Sequence, residues 1–284
     1  MIKISWLLCI TIILFIPKST VYAIPKVIFD TDIARVNNAG NDQSDIDDLG
    51  ALAILNALSN KQLCKISCIV TNSRSSRIVE MIDAINTYYN NPGIPIGLKE
   101  GNKSLIESGN SYANYISGFF KYSQRSIDAP SSTELLRKVL SEISEDDTVI
   151  YIHADNISNW DFLCISSFLE SGPDNISHLT GFELFNSIID KFISYIPCLP
   201  NNNISVNCPD WCDKPTTDAL KLQHFIEYYK NNLIGNSSAV EEGHLPTKLW
   251  EQSDDNPVKL AYQYYYSKTT PPWHQSNEIL GSIS

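Results

Sequence analysis

Lys26-Val-Ile-Phe-Asp-Thr-Asp32, followed by Ser44-Asp-Ile-Asp-Asp-Leu-Gly-Ala-Leu52, decides the fold class of this chain. An apolar run closing on Asp-Thr-Asp predicts a buried strand that carries carboxylates to its C-terminal edge. Asp45, Asp47 and Asp48 then open an apolar, helix-compatible stretch through Ala57, so the acidic groups collect where a parallel α/β sheet places its ligands. Capping the helix uses one or two of these carboxylates, not all of them. Several in one crevice repel each other unless a cation sits among them. An all-oxygen donor set suits a hard ion, Ca²⁺ or Mg²⁺.

Outward from this motif, strand and helix patterns alternate. Val27 to Phe29 is a predicted strand, Leu49 to Ala57 a helix, Lys65 to Val70 a strand and Ile78 to Tyr89 a helix. Asn90-Asn-Pro-Gly93 is a turn, Ile94 to Ile96 a short strand, Thr133 to Ile143 a helix capped by Ser132 or Thr133, and Thr148 to Ile152 a buried strand. This order predicts an α/β protein with a mainly parallel sheet and helices on both faces. Gly181 to Ile193, Thr217 to Tyr229 and Asn256 to Tyr266 read as helices, the last with Pro257 in its first turn. Ile196 to Pro215, rich in Asn, Pro and Cys, reads as a long loop. No repeat or linker breaks the chain, so residues 24–284 are expected to form one domain.

The first 23 residues read as a secretory signal. Lys3 is a short basic region, Trp6 to Ile16 an apolar core, Pro17 a break and Val21-Tyr-Ala23 a cleavage site. That apolar run is too short for a membrane span. The expected mature chain of about 260 residues is therefore secreted and ordinary in size for one α/β domain. The net charge of −11 becomes two units more negative without Lys3 and Lys18, and no basic stripe is visible. Nucleic acid and anionic membranes are thereby excluded as expected partners. Of seven cysteines, Cys9 leaves with the signal. Cys64, Cys68, Cys164, Cys198, Cys208 and Cys212 form an even set, which in an oxidising compartment predicts disulfides of unspecified connectivity. Asn-x-Ser/Thr sequons at Asn102, Asn156, Asn175, Asn203 and Asn236 are expected glycosylation sites.

The apolar-Asp-Thr-Asp pattern with x-Asp-Asp entering a helix resembles the inosine-uridine-preferring nucleoside hydrolase family. The resemblance extends to Ile69-Val-Thr-Asn72, Val79 to Pro95, Thr148 to Asn159, Ser171-Gly-Pro-Asp174 and Asn256-Pro-Val-Lys-Leu-Ala-Tyr262, strongly up to about Thr180 and loosely afterwards. It implies a mainly parallel α/β fold that cleaves the N-glycosidic bond of ribonucleosides, with Ca²⁺ holding the ribose and a water. By match, Asp32 is a metal ligand and the general base, Asp47 a ribose contact, Asp48 a bidentate metal ligand, and Ser158 the donor of a backbone carbonyl to the metal. Asn72 and Asn207 are further candidates for ribose contact. In that chemistry the cation lowers the pKa of bound water and a carboxylate takes its proton. Other carboxylates stabilise the oxocarbenium-like sugar.

Three departures bear on activity. Ile33 to Ile46 is a long loop where the family has a tight turn, so the metal cradle is expected to be reshaped. Pro272-Trp273-His274-Gln275 puts an imidazole at His274 where the family has a carboxylate. Tyr195 to Cys198 and Ser205-Val-Asn207 stand where the family has a Met-Gly-Gly turn and a Glu-x-Asn motif, and the Asn156 sequon overlaps the Ser158 turn. The expectation is a secreted glycoprotein of this architecture, catalytically weakened or inactive, that acts by binding a nucleoside or an extracellular partner and can form a homodimer. The alternative is an active Ca²⁺-dependent N-ribohydrolase. An aspartyl phosphatase, which also begins apolar-Asp-x-Asp, is disfavoured by Ala34 at the position where that pattern wants Thr or Val.

Overall fold

A computed structural model describes residues 23–42, 46–107, 109–154, 164–194, 233–235, 249 and 251–268. Six strands form one sheet: β1 (Lys26–Thr31), β2 (Lys65–Thr71), β3 (Ile96–Leu98), β4 (Val149–His153), β5 (Lys191–Ser194) and β6 (Leu233–Gly235). Their spatial order is β3-β2-β1-β4-β5-β6, and every neighbouring pair is parallel. This is the α/β architecture expected from the alternating patterns.

Among the described residues seven α-helices accompany the sheet: α1 (Asp47–Asn60), α2 (Ile78–Tyr88), α3 (Tyr112–Phe119), α4 (Ser132–Glu142), α5 (Cys164–Leu169), α6 (Gly181–Ile188) and α7 (Pro257–Lys268). Strand side chains alternate between the faces, and β1 shows the consequence. Val27 and Phe29 pack into an apolar layer with Leu49 and Leu52 of α1, Ile78 and Ile82 of α2, Ile116 of α3 and Ala261 of α7. Ile28 faces the other way, into a layer with Leu136 and Leu140 of α4, Phe168 of α5 and Phe185 of α6. Both faces of the sheet are therefore covered, as a parallel sheet requires.

Local chemistry fixes several element boundaries. Ser131, one residue before the expected cap, accepts a hydrogen bond from the Glu134 N–H at 3.2 Å and starts α4. Thr180 and Glu183 form a reciprocal capping box that starts α6. The expected helix from Gly181 to Ile193 ends at Ile188 instead. Beyond it Lys191–Ser194 pairs with β4 as β5, because Phe192 gains a fully buried site between Tyr151 and Phe185. The expected short strand at Ile94 to Ile96 lies two residues later, over Ile96–Leu98. The helix expected from Thr217 to Tyr229 and the loop from Ile196 to Pro215 lie outside the described residues.

The chain runs outward from β1 through β2 to β3 and then returns to β4 on the other side of β1. The reversal creates a topological switch point between β1 and β4. At such points the connecting loops diverge beyond the strands' carboxyl ends and leave a ligand-sized crevice.

Candidate functional site

Asp32 follows the last residue of β1 at this switch point, and α1 brings Asp47 and Asp48 to the same place. The Asp32 and Asp48 side chains are hydrogen-bonded to each other. Burial, then the charges of Asp32 and Asp47, push the Asp48 carboxyl well above the usual carboxylate range. One oxygen of Asp48 is committed inward: it accepts the Thr31 hydroxyl and, at 3.2 Å, the Asp32 N–H. Arg35 approaches Asp32 at 3.5 Å. Asp47 is exposed at the first turn of α1, where the helix dipole favours a carboxylate.

Asp30 does not join them. It lies on the strand face that carries Ile28 and is 1% exposed, and its carboxyl accepts the Tyr151 hydroxyl at 2.7 Å. The Cys164 thiol and the Ile165 N–H also bond to it, yet burial outweighs these bonds and pushes its pKa up to about 7. His153, its register partner on β4, is buried too, and burial lowers its pKa to about 3. Thus the switch-point crevice takes one aspartate of the Asp-Thr-Asp motif and the core takes the other.

The long segment after Asp32 is folded back. Val36 and Asp42 form an antiparallel bridge, with the turn supported by the Asn37 side chain and by Gly40 at a φ of 76°. Ala34 adopts a φ of 50°, which disfavours any residue with a Cβ. Its N–H is held by the Tyr112 hydroxyl at 2.6 Å and its carbonyl by the Ser73 hydroxyl at 2.9 Å. Asp42 accepts the Tyr112 N–H, and burial raises its carboxyl to about 6. The described part of this segment, residues 33–42, is therefore a hairpin pinned against α3 and the residues that follow β2.

Tyr262 of α7 completes one wall. Asp47 and Asp48 both act on its hydroxyl, although burial is the larger cause of its raised pKa. That hydroxyl also lies where a side chain on Gly50 would be, 2.8 Å from the position of a Cβ. Tyr262 is 8% exposed, so its ring packs in the core while its polar tip reaches the acidic site. Thr31 was visible within the Asp-Thr-Asp motif. Arg35 and Tyr112 carry no sequence signal that ties them to the site.

Asn72 follows the C-terminal end of β2 beside β1 and is half-buried. Asp45, Ser158, Asn207 and His274 lie outside the described residues, as do the sequons at Asn156, Asn203 and Asn236. Among the described residues no group of three or more His, Cys, Asp or Glu is arranged to hold a metal ion. The carboxylates present do not by themselves fit Ca²⁺, which takes six to eight oxygens.

The disulfide expectation requires correction for three cysteines. Cys64, Cys68 and Cys164 are buried thiols. Cys64 packs in the layer with α1 and α2, whereas Cys68 and Cys164 belong to the opposite layer around Asp30, where they serve as small apolar side chains. Cys198, Cys208 and Cys212 lie outside the described residues. No described helix is long and apolar enough to cross a membrane.

A parallel α/β sheet with Asp32, Asp47 and Asp48 gathered at its switch point is the class that fold and site define. Compared with protein-family models, curated proteins and solved structures, the chain matches none.

Proposed function

We propose that this chain is a secreted glycoprotein of nucleoside-hydrolase-like architecture whose switch-point crevice binds the sugar of a ribonucleoside without turning it over efficiently. The observation that carries this reading is the state of Asp48. Its carboxyl is buried, and one of its oxygens is committed to its own strand, bonded to the Thr31 hydroxyl and the Asp32 N–H. A carboxyl oxygen tied to its own strand in this way is withdrawn from a cation cage. The exposed Asp47 and the half-buried Asn72 are suited to sugar hydroxyls, because a carboxylate and an amide accept and donate to them directly.

The alternative, an active Ca²⁺-dependent N-ribohydrolase, rests on the meeting of Asp32, Asp47 and Asp48 at one end of β1. Calorimetry with inosine and uridine, run with and without Ca²⁺ alongside an assay for released base, separates the two. Binding that weakens in Asp47→Ala, without base release, supports the proposal. Base release that a chelator and Asp32→Asn both abolish supports the alternative. If neither nucleoside binds, the nucleoside reading is wrong.

A further inference from the structure

On the α4–α6 side, at the end of α4 that leads into β4 and so at the edge opposite the crevice, lies a groove of about 350 Å³. That volume falls within the about 300–1,000 Å³ range of small-molecule pockets. Its walls are mixed. The half-buried Ile176 and Leu179 supply apolar surface, the exposed Ser141 and Ser187 supply hydroxyls, and one part of the lining is Asn175, the acceptor of the Asn175-Ile-Ser177 sequon.

The loop bearing this sequon is unusually fixed for an exposed turn. Arg137, 1% exposed, reaches out of the core and donates to Asp174 at 2.7 and 3.0 Å, to the Ser171 hydroxyl at 3.1 Å, and to the carbonyls of Ser177 and Leu179 at 2.9 and 2.8 Å. Asp174 in turn accepts the N–H groups of Ile176 and Ser177, each at 2.9 Å. The buried guanidinium and the Asp174 carboxylate thus brace the sequon on both sides while the Asn175 side chain stays exposed at the groove.

We infer that this groove is the seat of the first N-acetylglucosamine of a glycan carried by Asn175, so that sugar and protein pack together as one surface. The chemistry fits. A pyranose has apolar C–H faces and an N-acetyl methyl for Ile176 and Leu179, and hydroxyls for Ser141 and Ser187. In forming the linkage, the Asn175 amide nitrogen bonds to C1 of the sugar and gives up one proton, and the lipid-linked diphosphate that carried the oligosaccharide leaves from that carbon. Asn102, on an exposed turn and absent from the groove, is the internal contrast. The inference rests on the secreted-glycoprotein reading above.

The test is site-resolved release of glycans by a peptide N-glycosidase from the native full-length protein made in a eukaryotic secretory host. Release at Asn175 is expected to be roughly tenfold slower than at the other occupied sequons, since the enzyme must wait for the sugar to leave its seat. The difference should vanish after denaturation. In Ser187→Trp, which fills the groove from an exposed position, release at Asn175 should rise to the rate of the others. Equal native release at every occupied sequon overturns the seat alone, as does a bare Asn175 beside occupied sequons. Sequons bare throughout overturn the secretion reading and the seat together.

Discussion

Asp30 and Asp32 stand two residues apart on one strand, and the protein treats them as different chemical groups. Asp30 is sealed beneath the sheet under Tyr151 and Cys164, where burial keeps it protonated up to about pH 7. Asp32 sits past the strand end, facing Arg35 and paired with Asp48. The contrast extends to the surroundings. The buried layer holds Asp30 and Arg137 with short internal bonds, whereas the rim around Asp32 combines a pinned hairpin, an exposed Asp47 and a strained Ala34. A strand delivers a side chain to a face by its period, but what covers that face decides whether the group is a structural element or a reagent.

The sharpest way to break this comparison is at the buried layer. Arg137→Ala removes the five hydrogen bonds of a buried guanidinium, so urea unfolding is expected to show a loss of about 3–5 kcal/mol at roughly 1 kcal/mol per bond, with nucleoside binding per folded molecule unchanged. A loss no larger than that of a surface ion pair would place Arg137 with the rim.

Asp30→Asn is next. Burial raises the folded pKa of Asp30 from 3.8 to about 7, so between those values the folded state binds more protons than the unfolded one. The stabilisation is complete below about pH 4 and is lost as pH rises through 7. The shift corresponds to a contribution on the order of 4 kcal/mol. His153 works in reverse: its pKa of about 3 in the fold removes stability as pH falls below 6.5, which flattens the wild-type curve. The difference between wild type and Asp30→Asn is therefore the quantity to measure. It should move in favour of Asn by several kcal/mol between pH 4 and 7; a constant difference would mean that Asp30 is solvated like Asp32.

At the rim the effects shrink. Gly50→Ala puts a methyl group 2.8 Å from the Tyr262 hydroxyl, and a thermal melt should register about 1–2 kcal/mol of destabilisation, recovered when Tyr262→Phe is added. No recovery in the double variant would mean that α7 does not press its phenol on α1. Smallest of all, Arg35→Ala should change stability by about 0.5 kcal/mol or less, since Arg35 is nearly half exposed. Its effect belongs instead to the acidic site, where removal of the cation next to Asp32 should change inosine affinity in calorimetry. Unchanged affinity would detach Arg35 from the site.

The sequence by itself determined the alternation of strands and helices, the parallel sheet and the delivery of Asp32, Asp47 and Asp48 to one end of β1. All of these follow from short-range periodicity and from capping chemistry, which neighbouring residues carry. Tertiary structure decided the rest. Tyr151, 121 positions from Asp30, turned one aspartate into a core acid. Phe192 found a buried slot beside β4 and turned the end of an expected helix into β5. The packing of opposite layers made Cys64, Cys68 and Cys164 buried thiols, and the approach of α7 brought Tyr262 to Gly50. Each of these outcomes depends on burial and on partners distant along the chain, and local sequence patterns hold no record of which distant residues will meet.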